Sequence, residues 1–364
     1  MRRPNASLKS PAAAARTNRE KPAQVSHPSW SQPASQPASQ PASQPVSRLV
    51  FAGEAIVDLL MWVPALPERG GDMLAGSSAV QVGGGFNIMA AAARQGLPVV
   101  YAGGHGTGPW GDKVRAALEA EGIAVLRLPD PDADTGFDVA LVEADGERTF
   151  VTSLGAESLR APGSWDGVQL WPGDAVYVSG YGLVPPESGP VLGAWAAGLP
   201  PGVLLFMDPG PLVADIPADV LDPVLNRCDW YSCNQREAAI LAGESDPVEA
   251  ARLLARRTGR AGVIVRAGPE GCVLALRVAG PADQVGLSLS LIPAPAVVAV
   301  DTTGAGDAHS GVFLAGLAGG LAPAGAAWRA NAAAALTVTR SGPAVSPSLA
   351  ELDEFLASRG RPTA

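Results

Sequence analysis

The chain has 364 residues, of which 47% are hydrophobic and 17% charged, and its formal net charge at pH 7 is −9. Six basic residues and one acidic residue lie among the first 47, which leaves 20 basic against 34 acidic residues for the remainder. An acidic folded part is not expected to bind nucleic acid, and without an apolar stretch of about 18 residues no membrane helix is predicted. We therefore expect a cytoplasmic protein with neither nucleic-acid nor membrane partners.

The first 47 residues differ in composition from the rest. Pro, Ala, Ser and Gln dominate them, and SQPASQPASQPASQP repeats a four-residue unit. Such a segment has too little apolar surface to offset the entropy that a chain loses on ordering. We predict a disordered tail over residues 1–47 and a folded domain over residues 48–364.

From residue 48 onward, apolar runs of strand length alternate with helical patterns. In chain order they are RLVFAGEAIVDLLMWV, NIMAAAARQG, VVYAGG, DKVRAALEAEG, DAVYVSGYG, VLLFMDPG, DWYSCNQREAAILAG, AARLLARRTG, GVIVRAG and LIPAPAVVAV. Strands rich in Val, Ile and Leu that are interleaved with helices indicate a parallel sheet covered on both faces. The predicted fold class is α/β, with a doubly wound, mostly parallel sheet flanked by helices.

Two segments alternate apolar and polar residues instead. They lie at about 59–82 and 135–153, and the second contains the turn signal ADGE. Such alternation is typical of antiparallel strands with one solvent-facing side. Because ligands of α/β proteins bind outside the carboxyl ends of the parallel strands, we predict that these segments form a small β-sheet that closes over that edge as a lid.

Two common nucleotide-binding motifs do not account for this chain. GTGPWG, Gly106 to Gly111, matches GxGxxG, but a lone match is weak, Pro109 interrupts it, and it follows the second strand–helix unit rather than the first. We interpret it as a turn. The P-loop pattern GxxxxGK[ST] does not occur, because the chain contains no GK pair.

The stretch VDTTGAGDAHSG, residues 300–311, follows the last apolar run and holds three glycines. A helix that begins near Asp307 would direct the backbone N–H groups of Gly304, Ala305 and Gly306 at one point, and such helix N-termini attract phosphate. The structural alternative is that Asp307 only caps the helix. A cap does not require three small residues before it, so an anion-binding site is the favoured interpretation.

Together with VGGGFN, which ends at Asn87, the DTTGAGD stretch resembles the paired signatures of the ribokinase (PfkB) family of carbohydrate kinases. The resemblance runs from residue 48 to about 357 and includes NQRE, VRAGPEGC and RANAAAALTVTRSGP. It implies a ribokinase-like fold and the ATP-dependent phosphorylation of a sugar hydroxyl. Gly84 stands where ribokinases proper tend to carry a lysine. The alternatives are a nucleoside kinase on the same fold and a ligand-binding regulator without catalysis.

The resemblance also implies roles for individual residues. Asp307 would be the general base for the attacking hydroxyl, beside an anion hole formed by Gly304, Ala305 and Gly306, which agrees with the geometry expected at a helix N-terminus. The sugar would contact Asp58, Asp72, Gly84, Gly85 and Asn87. The nucleotide would contact Asn234, Gly268, Gly271 and Asn331.

Two cation sites are implied as well. Glu237, with Asn234, would organise Mg²⁺ near the phosphates, although on the residues alone the pair fits a helix capping box equally well. A monovalent cation, K⁺, is held in ribokinase-like members at positions that match Asp301, Thr303, Thr337, Arg340, Gly342 and Ser346. Family members often dimerise through their lids, and a homodimer formed in that way would cover the predicted edge strands.

Overall fold

The computed structural model describes residues 46–144, 146–258, 260, 262–279 and 285–359. Apart from residues 46 and 47, the predicted tail lies outside these ranges. Val46 is buried in the core, and the backbone N–H of Ser47 donates to the carbonyl of Gly173 at 2.8 Å. Ordered packing therefore reaches at least two residues into the segment that was predicted to be a tail.

The described residues contain thirteen strands and nine α-helices. The strands are β1 Arg48–Phe51, β2 Ala55–Trp62, β3 Ser77–Gly84, β4 Val99–Tyr101, β5 Ala124–Val125, β6 Phe137–Val142, β7 Arg148–Ser153, β8 Asp174–Ser179, β9 Leu204–Asp208, β10 Trp230–Asn234, β11 Gly262–Arg266, β12 Cys272–Ala279 and β13 Val285–Ile292. The helices are α1 Phe86–Arg94, α2 Pro109–Ala120, α3 Gly189–Ala197, α4 Ala218–Arg227, α5 Gln235–Ala242, α6 Pro247–Arg257, α7 Ala305–Ala318, α8 Pro323–Thr337 and α9 Leu349–Arg359.

Nine strands form a large sheet in the order β13-β12-β11-β10-β9-β8-β1-β4-β5. From β11 to β5 neighbouring strands are parallel, and β12 and β13 join as an antiparallel edge. Successive residues of β1 face opposite sides: Leu49 and Phe51 enter one core cluster and Val50 the other. Helices α1, α2, α7, α8 and α9 cover the first face and α3 to α6 the second, which confirms the predicted doubly wound fold.

A second, smaller sheet has the strand order β3-β2-β6-β7. It consists of two antiparallel hairpins, β2–β3 and β6–β7, as the alternating segments indicated. The hairpins are joined by a parallel pairing of β2 with β6, whereas purely antiparallel strands were predicted. The first strand of each hairpin lies in the middle of the sheet, and these two strands, β2 and β6, run in the same direction.

The long run RLVFAGEAIVDLLMWV serves both sheets. It is interrupted at residues 52–54, where the chain leaves β1 of the large sheet and enters β2 of the small one. Gly53 lies at this junction, and a Cβ there would come within 2.9 Å of the Phe51 ring. The sequence run looked continuous because both strands are apolar, although they belong to different layers.

Helices α1 and α7 cross closely on one face of the large sheet. A Cβ at Gly311 in α7 would lie 2.5 Å from the carbonyl oxygen of Ile88 in α1, so only a glycine allows this approach. The crossing brings the beginnings of the two helices together, and these carry the two signature motifs. Within the described ranges, no helix has the length and apolar character needed to cross a membrane.

Replacing Gly311 tests this close packing. Because overpacking forces backbone shifts, we expect Gly311→Ala to lower the free energy of unfolding by about 1–3 kcal/mol. Gly325→Ala is the matched control, since a Cβ at Gly325 in α8 meets only the side chain of Leu321 at 3.9 Å; there the better helix propensity of alanine should raise stability by about 0.5–1 kcal/mol. Urea unfolding of both variants checks the signs, and equal effects would contradict the crossing.

Candidate active site

The α7 N-terminus is built from the glycine-rich stretch. Helix α7 begins at Ala305, and Gly304, with φ of 70°, occupies the N-cap in the left-handed conformation. Asp307 is therefore the third helical residue, and its interpretation as the helix cap is wrong. The backbone N–H of Ala305 donates to the carbonyl of Thr302 at 3.3 Å. Because the first N–H groups of a helix have no intrahelical acceptor and Gly304 offers no side chain to cap them, the N–H of Gly306 is left for an anion.

Asp307 meets the first signature motif through one hydrogen bond. The side-chain amide of Asn87 donates from Nδ2 to Oδ2 of Asp307 at 2.9 Å, across 220 residues of sequence. Asn87 is buried near the start of α1. The residue before this helix, Gly85, allows it to begin close to β1, because a Cβ at Gly85 would lie 2.1 Å from the Phe51 ring. Gly84, with φ of 60°, makes the turn into this helix. The structure thus brings together Asp307, Asn87 and the glycine pair as predicted residues of one site.

The environment of Asp307 suits a general base. Burial raises the pKa of its carboxyl to about 6, the hydrogen bond from Asn87 opposes this rise, Asp208 adds to it, and Arg266 opposes it. A carboxylate with a pKa near 6 is ionised at neutral pH, and yet it accepts a proton more readily than an ordinary aspartate does.

Arg266, at the end of β11, is a site residue that the sequence analysis missed. Its Nη1 atom donates to Oδ2 of Asp208 at 2.7 Å and to Oγ of Ser232 at 2.5 Å, and its Nη2 atom lies 3.7 Å from Oε2 of Glu237. A Cβ at Gly306 would lie 3.5 Å from the guanidinium. A fixed positive charge therefore stands beside the first turn of α7.

Asp208 and Arg266 were missed because each is simply the last residue of an apolar run, VLLFMDPG or GVIVRAG. The signal that could have found them is positional. The carboxyl ends of parallel strands meet at one edge of a sheet, so polar residues that end neighbouring strands are expected to lie near one another.

Glu237 and Asn234 form the capping box of α5. The Glu237 carboxylate accepts from the backbone N–H and the Nδ2 atom of Asn234, both at 2.8 Å, and Oδ1 of Asn234 accepts from the backbone N–H of Glu237 at 2.9 Å. Both ends of the Asn234 amide are thus engaged in the cap. Asn234 holds Glu237 in place, and its contact with a nucleotide or metal stays a prediction.

The carboxylates of Asp208 and Glu237 bracket the Arg266 guanidinium. Burial raises the pKa of Glu237, and the negative charge of Asp208 raises it further. Hard oxygen donors suit Mg²⁺, and a divalent cation would relieve the repulsion between the two carboxylates, so these donors fit a cation that arrives with a nucleotide. Within the described ranges no cluster of three or more His, Cys, Asp or Glu residues forms a ready-made metal site.

The small sheet contributes a pair of buried carboxyl groups. Asp58 lies on β2, and its carboxylate packs against the backbone of Gly83: a Cβ added at Gly83 would lie 2.1 Å from Oδ2 of Asp58. The residue that pairs with Asp58 on the neighbouring strand β6 is Asp138. The pKa of Asp58 is raised to about 8 by burial, then by Asp138 and Asp307, against a lowering effect of Arg148. Burial raises the pKa of Asp138 to about 6.

Asp58 was predicted to bind substrate, whereas Asp138 was read only as part of the alternating pattern TGFDVALV. Asp72, the remaining predicted sugar ligand, lies exposed in the loop between β2 and β3. No contact within the described residues ties Asp72 to Asp58 or Asn87, so its role in the site stays a prediction.

The predicted nucleotide residues differ in their surroundings. Gly268, with φ of 59°, opens a single 3₁₀ turn after β11, and a Cβ there would meet no atom within 4 Å. Gly271, with φ of 99°, packs against the chain after β13. Asn331 is buried, and its amide donates to the carbonyls of Ile292 and Pro293 at 2.9 and 3.2 Å. Gly268 thus faces open space, while Gly271 and Asn331 support the surrounding backbone.

Asp301, the acidic member of the predicted monovalent-cation site, is already neutralised. Its Oδ1 atom pairs with Nη2 of Arg148 at 2.6 Å and accepts from the Thr303 N–H at 2.8 Å, and its Oδ2 atom accepts from the Gly342 N–H at 2.9 Å. Burial would raise the pKa of Asp301, but the hydrogen bonds from Arg148, Gly342 and Thr303 outweigh it and lower the pKa to about 2.

The other residues of that predicted site differ: Ser346 contacts a guanidinium, whereas Thr303 Oγ1 is buried without a hydrogen-bond partner within the described residues. Nη1 of Arg94 donates to the carbonyls of Ala344 and Ser346 at 2.6 and 2.9 Å, Nη1 of Arg340 donates to the carbonyl of Val345, and the Thr337 hydroxyl donates to the carbonyl of Ala333. Guanidinium groups thus occupy the Asp301 carboxylate and the Ser346 carbonyl, so the negative charge that Asp301 would offer a monovalent cation is already neutralised.

His309, two residues after Asp307, is a packed residue. It is buried and its ring lies parallel to that of Phe313 at 6.4 Å between centroids. Burial, followed by the charge of Arg266, lowers the pKa of His309 to about 3. The imidazole is therefore neutral at physiological pH.

Comparisons with known proteins agree with this geometry. The model of the pfkB family carbohydrate kinase matches residues 46–349. An uncharacterized sugar kinase of Escherichia coli strain K12, YegV, is 34% identical over 308 residues, which cover 84% of this chain and 92% of the relative. A fructokinase of Klebsiella pneumoniae is 31% identical over 284 residues, or 75% of this chain and 84% of that enzyme.

The fold also matches solved structures. The structure of Arabidopsis thaliana ribokinase complexed with ribose and ATP superposes with a TM-score of 0.66 at 21% identity, covering 85% of this chain and 98% of that one. At this level of identity the match shows a shared fold, and the fold is ribokinase-like, as the signature motifs implied.

Proposed function

The chain belongs to the pfkB family of carbohydrate kinases, and from this membership we propose that it transfers the terminal phosphoryl group of ATP to a sugar hydroxyl, with Asp307 as the general base. The observation that carries this proposal is the buried carboxylate of Asp307, held by Asn87 beside the uncapped N-terminus of α7. A base and an anion-binding site adjoin there, as phosphoryl transfer to an alcohol requires.

Asp307 acts on the acceptor. As the sugar oxygen attacks the terminal phosphorus, its proton passes to a carboxylate oxygen of Asp307, while the bond between that phosphorus and the bridging oxygen of ADP breaks. Asn87 fixes the direction of the carboxylate through its hydrogen bond. The raised pKa gives Asp307 the basicity that this proton transfer needs.

Two features stabilise the negative charge that moves during transfer. The N–H groups of Gly304 and Gly306 lie at the positive end of the α7 dipole, oriented before the reaction begins; the N–H of Ala305 would have to leave the Thr302 carbonyl to join them. The guanidinium of Arg266 stands beside Gly306 and supplies a full positive charge. Because Gly84 leaves the first motif without a lysine, we assign to Arg266 the electrostatic role of a cationic side chain at the phosphates.

ATP binding extends from this centre toward the turn after β11. Mg²⁺ bound to the nucleotide would neutralise phosphate charge, and Asp208 and Glu237 would hold that ion. The open space at Gly268 supports a nucleotide over this backbone.

A sugar is the favoured acceptor, because the relative at 34% identity is a sugar kinase and the second one is a fructokinase. ADP release measured against a panel of sugars and nucleosides separates the two acceptor classes. Binding of a sugar without any release of ADP would instead support the non-catalytic regulator.

The small sheet is the part of the molecule that would form the lid, and its exposed edge favours a homodimer in which two such sheets meet. Strand β7 is an edge of this sheet, and Phe150 and Val151 on it are 49% and 67% exposed. Exposed apolar residues on a sheet edge favour pairing with another chain. Lid closure, the homodimer and a cytoplasmic location stay predictions of the sequence.

Asp307→Asn tests the base. Losing a general base should lower kcat by roughly 10²- to 10⁴-fold, while the affinity for sugar and ATP changes little because the Asn side chain keeps the shape. ADP release and calorimetric binding measure the two effects. Asp112→Asn is the matched control, because Asp112 lies in the first turn of another helix, α2, and is exposed. Wild-type turnover by Asp307→Asn would contradict the assignment.

Substitutions of Arg266 test the charge at the phosphates. Arg266→Met should lower kcat by about 10²-fold, by analogy with the loss of one preorganised donor at a transition state, and Arg266→Lys should restore part of the rate. The KM for the sugar should change little in both. If lysine and methionine reduce kcat equally while the fold remains intact by circular dichroism, the charge of Arg266 has no role in catalysis.

Replacing potassium in the assay tests whether the predicted monovalent-cation site around Asp301 is used. Because Arg148 already neutralises Asp301, we propose that the kinase needs no K⁺, and we expect equal kcat in KCl and in tetramethylammonium chloride. Arg148→Ala should lower kcat, and K⁺ should restore part of it. Arg252→Ala, which removes an exposed ion pair with Glu249, is the control. Strong activation of the wild type by K⁺ would refute the proposal.

A further inference from the structure

We propose that Asp138 is a substrate-binding residue that acts with Asp58, and that the pair selects a neutral polyhydroxy sugar presenting two neighbouring hydroxyl groups. This inference rests on the sugar-kinase function proposed above. It goes beyond that function because it defines the charge and the hydroxyl pattern of the acceptor.

The register of the small sheet places the two carboxyl groups side by side. Asp58 and Asp138 are direct partners on the parallel strands β2 and β6, so their side chains lie on the same face. Leu60 and Ala140, two residues further along each strand, share that face and pack together. The opposite face turns toward α2, where Phe137 packs against Trp110.

Both carboxyl groups are buried but incompletely bonded. Asp58 and Asp138 are each only 7% exposed, and the Oδ1 atom of each has no hydrogen-bond partner within the described residues. A buried polar atom without a partner costs free energy, more so when it is charged. Two such atoms side by side indicate that a bound ligand supplies the missing donors.

The position of the pair relative to the base points to the acceptor sugar. Asp307 is near enough to Asp58 for its negative charge to raise the pKa of Asp58. A sugar that presents one hydroxyl to Asp307 can therefore direct its other hydroxyls toward Asp58 and Asp138. Hydroxyl groups are donors, and they match the two acceptor atoms that lack partners.

Charge determines which sugars fit. Asp58, Asp138 and Asp307 place three carboxyl groups around the acceptor, and the nearby guanidinium of Arg148 is engaged by Asp301. Gly84 adds no charge, and Gln81, the partner of Asp58 on β3, is neutral. With pKa values of about 6, Asp138 and Asp307 are ionised at neutral pH, whereas Asp58, with a pKa of about 8, is mainly protonated. A carboxylate or phosphate group on the sugar would be repelled by the two ionised groups, so we expect sugar acids and sugar phosphates to be poor substrates.

A purely structural Asp138 would behave differently. A structural carboxylate is partnered and stabilises the fold, so that its removal lowers the unfolding temperature. The pKa of Asp138 is instead raised to about 6 by burial. Its ionised form therefore destabilises the folded state above the pKa of an unfolded aspartate, and removing that charge should stabilise the ligand-free protein at pH 8.

The experiment compares the wild type with Asp138→Asn and with the control Asp132→Asn, which alters an exposed acid in the segment before β6. ADP release is measured with neutral sugars, sugar acids and sugar phosphates, sugar binding by calorimetry, and unfolding temperature at pH 8. We expect the wild type to prefer a neutral sugar. Asp138→Asn should weaken sugar binding and raise KM by about 10- to 100-fold, the loss expected for a hydrogen bond to a charged group, with kcat for that sugar little changed and a higher unfolding temperature.

Unchanged sugar affinity in Asp138→Asn, or a lower unfolding temperature, would overturn the inference, and so would a wild-type preference for a sugar acid or a sugar phosphate. The calorimetric readout keeps this test separate from the kinase proposal. If sugar binds in an Asp138-dependent manner but no ADP is released, the kinase proposal fails and the assignment of Asp138 stands.

Discussion

The hydrogen bond between Asn87 and Asp307 is the contact on which the rest of the site depends. It can form only because α1 and α7 begin close together, and that proximity requires Gly85 beside the Phe51 ring and Gly311 against the Ile88 carbonyl. Through this bond the proposed base is fixed at the N-terminus of α7, beside the N–H groups that would bind phosphate. The glycines of the two motifs therefore serve one geometric purpose, which is to bring the proposed base and the proposed anion site close together.

The electrostatics of the site are organised around carboxylates that are expensive to bury. Asp208 and Glu237 share the guanidinium of Arg266, and Asp301 is neutralised by Arg148 from the small sheet. Asp307 has a single hydrogen-bonding amide, and Asp58 and Asp138 each keep one atom without a partner. The carboxylates that are paired with arginine hold the surrounding elements together, while Asp58, Asp138 and Asp307 line the sugar site that we propose. Buried groups without partners lower the stability of the free protein, and in the proposed site a bound sugar would supply the missing hydrogen bonds.

Much of this organisation could be predicted from the sequence. Alternating strands and helices indicated the fold class, DTTGAGD placed the start of α7 beside Asp307, and NQRE indicated the capping box of α5, because local chemistry determines where a helix begins. Residues that matter only through tertiary contacts were missed. Arg266 and Asp208 end their strands without any local sequence signal, and Asp138 is one polar residue in a regular alternation of apolar and polar residues. The pairing of β2 with β6 depends on how two hairpins pack against each other. The same limit explains why the neutralisation of Asp301 in the predicted monovalent-cation site was missed: no sequence spacing reveals that Arg148 pairs with Asp301, 153 positions further along the chain.

The pH dependence of kcat/KM tests the central claim most directly. If Asp307 is the base, kcat/KM should rise with pH through an inflection near its pKa of about 6. In Asn87→Ala that inflection should move to higher pH, because the hydrogen bond that lowers the pKa of Asp307 has been removed. A profile without an inflection in this region, or an inflection that stays in place in Asn87→Ala, would contradict the assignment of Asp307 as the base held by Asn87.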